Sequence, residues 1–203
     1  MSPLKIALGF LPWIVFSLIA TRAGAGAVGL AALLALVVAA GLVLRALARH
    51  ESVKLLEATA VVTFGAMGAW ALIDPASDAF LAFYGRGVAA LILLAVILVT
   101  LPTRPFTEQY ARESVPEEYW NSPRFRSVNR RISAAWALVI GGMAVCHLIA
   151  GAIAANLAES TGYLTSYPGE LVLNWIVPGA LLVGAIKYTK NVAQDAPAAQ
   201  PTR

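Results

Sequence analysis

Six apolar stretches, near residues 6–21, 27–44, 55–73, 80–101, 132–156 and 171–186, occupy most of this 203-residue chain. A helix needs about 20 mainly apolar residues to cross a bilayer, so six crossings with their connections would consume nearly all of it. The gaps between the stretches alternate in charge. Lys5, then Arg45, Arg49 and Lys54, then the arginines from Arg104 to Arg131, then Lys187, Lys190 and Arg203 fall in one set of gaps, 13 of the 15 basic residues. The other side keeps only Arg22 and Arg86, the latter near the outer end of the fourth stretch. Cytoplasmic loops carry the Lys/Arg excess. The pattern predicts an even number of crossings, with both termini in the cytoplasm of a bacterial cell and the protein in its inner membrane.

Acidic residues follow the same division, seven on the basic side and four opposite. Contact with anionic headgroups accounts for the net charge of +4, and no basic soluble module points to nucleic acid. With 59% apolar and 13% charged residues and a mean hydropathy of +0.73, the chain lies far from soluble domains, which are about a quarter charged. The expected fold is all-α, a compact bundle of about six transmembrane helices within residues 1–193. An amphipathic cytoplasmic connector over 102–131 and a disordered tail over 194–203 complete it. One cysteine excludes an internal disulfide, and no Cys/His cluster has zinc-site spacing.

Lys5, the apolar run after it and Ala23-Gly24-Ala25 have the outline of a cleavable secretory signal. Pro12 within the run, Arg22 beside the cut and the immediate start of the next run argue against cleavage. The segment is read as a short, kinked first helix followed by a tight turn at Arg22–Gly26. Ala31, Ala35 and Ala39, then Gly65 and Ala69, then Gly142, Cys146, Ala150 and Ala154 place small residues at four-residue spacing. In lipid such stripes let helices approach closely. Asp74-Pro75 ends the third helix, and Trp70, Tyr84, Trp136 and Tyr188 fall near the expected interfaces. The Tyr163–Pro168 loop reads as outer and irregular.

The connector is the most distinctive segment. Phe106 and Tyr110 share a helical face, and Glu108 and Arg112 form an i,i+4 pair. Ser114 with Glu117 resembles a capping box; Ser122 before Pro123 reads as the cap of a helix running through Arg131 into the fifth span. Arg104, Phe106, Tyr110, Arg112, Tyr119, Trp120, Arg124 and Arg126 form the expected lipid or partner surface, rings down and guanidiniums on phosphates. Four glutamates among them favour an internally salt-bridged fold or a protein partner.

Inside the membrane, His147 stands out, since intramembrane ionisable groups are functional by default. The competing reading is a neutral histidine bonded to a carbonyl or to Thr59 or Thr63. Arg86, between Gly85 and Gly87, pairs with Asp74 or Asp78 in a polar outer mouth, or snorkels alone. Cys146 is a packing residue, and Pro12 and Pro178 are kinks that could free a carbonyl. His147, Arg86 and Asp74 are therefore the candidate functional polar residues. No nucleotide, zinc-protease, serine-hydrolase or paired-cysteine motif occurs. No catalytic set, metal or cofactor is expected; His50 is too peripheral to join His147 on a haem.

Phe10-Leu11-Pro12-Trp13-Ile14-Val15-Phe16, Thr63-Phe64-Gly65 and Ala134-Ala135-Trp136-Ala137, in this helix order, resemble the intracellular septation protein A family of small bacterial inner-membrane proteins. The long Arg104–Arg126 loop departs from that family's shorter connection and resembles a neighbouring branch. The resemblance implies a structural or interaction role in envelope maintenance or septation, through division or envelope-synthesis proteins, and transfers no catalytic residue. A small-solute or lipid transporter with a path near His147 and Arg86 is the alternative, and an intramembrane enzyme ranks last. Oligomerisation is left open.

Overall fold

A computed structural model describes residues 6, 8–20, 27–161 and 167–194. The Arg22–Gly26 turn, Tyr163 and the tail beyond Gln194 lie outside the described residues. The described residues are helical and contain no strand: α1 Leu11–Ala20, α2 Val28–Ala48, α3 Leu55–Ile73, α4 Ser77–Thr100, the short α5 Glu108–Ala111, α6 Pro123–Thr161, the single turn α7 Pro168–Leu171, and α8 Val177–Gln194. A π turn, Val172–Ile176, joins α7 to α8 as one 27-residue apolar rod. Five of these helices are long and apolar enough to cross a membrane. The sixth, α1, has 10 residues, about 15 Å of helix against roughly 30 Å of bilayer core. Pro12 falls in its first turn, where a missing N–H costs little.

The helices bury small residues and expose large ones. Ala31, Ala32, Ala35 and Ala39 of α2 are fully buried against α1 and α3, whereas Leu30, Val37 and Leu44 face outward. In α6 the buried face runs Trp136, Ile140, Ala144, His147 and Gly151, at helical spacing. The expected stripe of Gly142, Cys146, Ala150 and Ala154 is only partly buried. The closest approach lies one face over: a Cβ on Gly151 would meet the backbone of Phe83 in α4, 2.9 Å from its carbonyl carbon. Close packing without Cβ atoms there makes α4 and α6 the central pair of the bundle.

Helix ends follow local chemistry. α2 closes in a Schellman motif: His50 N–H donates to the Leu47 carbonyl and Glu51 N–H to that of Ala46, with His50 at φ 55°. Ser122 Oγ accepts from Phe125 N–H at 3.2 Å, so Ser122 and Pro123 start α6 as their spacing predicts. Ser114 does not cap; its hydroxyl donates back to Ala111, and Pro116 precedes a 3₁₀ turn over Glu117–Tyr119.

The connector folds onto the end of the bundle. Leu55 N–H, at the start of α3, donates to Gln109 Oε1 at 2.8 Å, and Lys54 Nζ pairs with Glu113 Oε1 at 2.5 Å. Thr107 Oγ1 donates to the Asn129 carbonyl at 3.0 Å and lies 2.8 Å from Ser133 Oγ, a buried polar seam against α6. Asn129 is buried there. Trp136 is buried as well, stacked on Phe10 and donating to Thr189 Oγ1 of α8. Trp70 and Tyr188 are exposed.

Candidate functional site: an apolar pocket with one polar end

Arg86 occupies the part of α4 where neighbouring helices close in. A Cβ on Gly87 would fall 2.6 Å from Leu148 of α6, so only glycine lets the two helices meet beside the guanidinium stem. His147 lies on the buried face of α6 one turn from Gly151. Its partner comes from the π turn. There Val177 N–H bonds the carbonyl of Val172, five residues back, and Pro178 has no N–H for the carbonyl of Asn174. The inserted residue rotates this stretch relative to a regular helix, and Asn174 is buried. Its Oδ1 lies 3.0 Å from His147 Nδ1. With the amide oxygen facing the ring, Nδ1 carries the proton and donates, leaving the Nε2 lone pair as an acceptor and the Asn174 amide as a donor.

These groups line one end of a pocket of about 170 Å³ that is open on one side. A single water requires only about 10–15 Å³ by this measure, so the space is more than a packing defect. Residues of α1, α4, α6, the π turn and α8 line it. Ser17, Arg86, His147 and Asn174 form the polar end; Phe10, Leu93, Trp136 and Leu182 form the other. Trp136 and His147 stand about 16 Å apart along α6, from the helical rise. Trp13, on the α1 wall, has a buried indole N–H with no acceptor among the described residues. Outside the lining, Tyr167 Oη donates to the Ala150 carbonyl at 3.0 Å, and Glu170 and Tyr167 act electrostatically on Arg86.

Of the three polar residues singled out in the sequence, His147 and Arg86 line this pocket and Asp74 does not. Asp74 is exposed and its Oδ1 caps the Ala76 N–H at 3.1 Å. Asp78 is also engaged away from Arg86, its Oδ1 accepting from Gly29 N–H at 2.7 Å and tying α4 to α2. Neither Thr59 nor Thr63 bonds His147; Asn174 takes that place. Asn174, Trp13 and Ser17 were missed. The available signal for Asn174 was an amide within an apolar run, four residues before Pro178.

The connector surface needs correction. Phe106 and Tyr110 are not lipid-facing: both are buried in the core with Ile6, Phe10, Leu56 and Trp136. An amphipathic pattern cannot distinguish rings lowered onto headgroups from rings closing the end of a bundle. Tyr110 fits because Gly9 has no side chain; a Cβ there would lie 2.8 Å from the phenol oxygen. Arg112 turns inward to Glu108 and stacks 4.8 Å from the Trp120 ring, whose Nε1 donates to the Val115 carbonyl. Arg104, Arg124 and Arg126 are exposed, and Tyr119 is partly so.

Among the described residues no group of three His, Cys, Asp or Glu could hold a metal ion. Comparison with protein-family models, curated proteins and solved structures finds no match to this chain.

Proposed function

We propose that the chain is a six-crossing protein of the bacterial cytoplasmic membrane, both ends cytoplasmic, that binds a small molecule within the bilayer. It serves as a carrier or sensor for a solute or lipid rather than as an enzyme. The observation that carries this reading is the convergence of Arg86, His147 and Asn174 on one apolar pocket. Polar groups at membrane depth are costly and cluster on ligand paths, and π turns recur at functional sites. Exposed leucines and valines around a core of alanines support the membrane setting.

A second reading is the envelope or septation role that the family resemblance implies. It is favoured by the arginines left exposed on the connector and the start of α6, where Arg126, Arg130 and Arg131 border a surface cleft. Complementation of a strain lacking the protein separates the two. With membrane abundance unchanged, H147A and N174L should fail to restore growth or envelope integrity, whereas R124Q/R126Q should restore it. The reverse pattern would overturn the pocket as the functional centre and move the function to the arginine surface.

A further inference from the structure

Resting on the pocket reading, we propose that the ligand is a single-chain amphiphile with an oxyanion head, a carboxylate or a phosphate. Its head sits among Arg86, Asn174 and His147 and its chain runs toward Phe10, Leu93 and Trp136.

The polar end is rich in donors. Arg86 offers only donors. The Asn174 amide N–H₂ is left over once Oδ1 has accepted from His147. A head bearing several acceptor oxygens meets both the guanidinium and this amide, and a planar or tetrahedral oxyanion suits the guanidinium fork. His147 Nε2 can accept the proton of a singly protonated head. Glu170 acts electrostatically on Arg86, so a negative head would share the guanidinium with it, whereas a cationic head would face Arg86 directly. Beyond this end the lining is aliphatic and aromatic, and a volume of about 170 Å³ suits one chain better than two. Ile14 lines the pocket and is itself exposed, and Leu18, Ile176 and Val183 beside it on the α1 and α8 sides are exposed and apolar. Entry is therefore from lipid, not from water.

Trp13, Trp136 and Trp175 line the pocket, three of the chain's five tryptophans, so occupancy can be read directly. The full chain, purified in detergent and carrying W70F to silence an exposed indole, is titrated with dibrominated stearate, with its methyl ester and with acetate. Saturable quenching by the acid, at least tenfold weaker for the ester, is the expected result. R86Q should weaken the acid at least tenfold and leave the ester unchanged, while R86K retains most of the affinity. Equal saturable quenching by acid and ester overturns the oxyanion head but leaves the pocket a binding site. Acetate displacing the brominated acid at equal concentration overturns the amphiphile in favour of a small-anion site. Quenching that rises linearly without saturation for both overturns the pocket reading itself. The acid–ester comparison uses the unaltered arginine, so misfolding of R86Q would not blunt it.

Discussion

His50 holds φ at 55°, the positive-φ position among the described non-glycine residues, because the Schellman closure of α2 needs a left-handed residue after Arg49. A Cβ in that region costs about 1 kcal/mol that glycine avoids. H50G should therefore stabilise the protein by about 0.5–1 kcal/mol in a denaturant or thermal unfolding series. A loss of stability would show that the imidazole contributes something the backbone geometry does not. Tyr110 makes a different case. Burial, reinforced by the carboxylates of Glu57 and Glu113, raises its phenol well above the ordinary value. A raised folded-state pKa contributes stability that is complete below the unfolded value, about 10, and fades as pH rises beyond it. The Tyr110 hydroxyl has no partner among the described residues, so Y110F should be neutral or stabilising by up to about 1 kcal/mol. It should also flatten the alkaline loss of stability between about pH 10 and 12, followed by unfolding at stepped pH.

Among the elements, α4 and α6 depend on contacts that tolerate no added atom. At Gly151 a Cβ would run into the Phe83 backbone, which cannot swing aside as a flexible side chain would. G151A should cost about 1–3 kcal/mol or more by overpacking. G184A in α8, where nothing lies within 4 Å of the added carbon, should be neutral or gain about 0.5–1 kcal/mol from helix propensity. Parallel heat-stability curves of the two variants in detergent check both, and equal effects would contradict the close approach. The same contrast marks what the chain disclosed before its structure. Leu55–Ile73 matches its apolar run at both ends, and Ser122-Pro123 announces α6, because these signals are local. Helix rotation is not local. His147 reaches Asn174 across 27 positions only because a π turn inserts one residue into the last rod. Hydropathy records that Val172–Ile176 is apolar but not that it is wound differently. Phe106 and Tyr110 were misplaced for a related reason: an aromatic stripe gives a face but not what covers it.

For the whole molecule, the decisive quantity is how the helices sit relative to the bilayer. α6 has 39 residues, about 58 Å of helix, nearly twice the roughly 30 Å hydrocarbon core. Part of it must therefore stand in water. The connector identifies which part, because Thr107 and the segment after it cover Asn129 and Ser133 near the α6 N-terminus, and the exposed arginines Arg124, Arg126, Arg130 and Arg131 crowd the same end. On the proposed topology this end is the cytoplasmic one, where such a charge density is expected. The proposed topology would also orient the pocket, since Trp136 is nearer that end of α6 and His147 is farther from it. The polar end should then lie toward the outer half of the membrane and the apolar end toward the inner half. Compartment reporters fused after Asp78 and after Ser160 should report from outside the cytoplasm, and one fused at Glu117 from within it. A Glu117 fusion active outside would invert the molecule. It would also place the arginine rim against the rule that orients most bacterial membrane proteins, and the six-crossing arrangement with cytoplasmic ends would then be wrong.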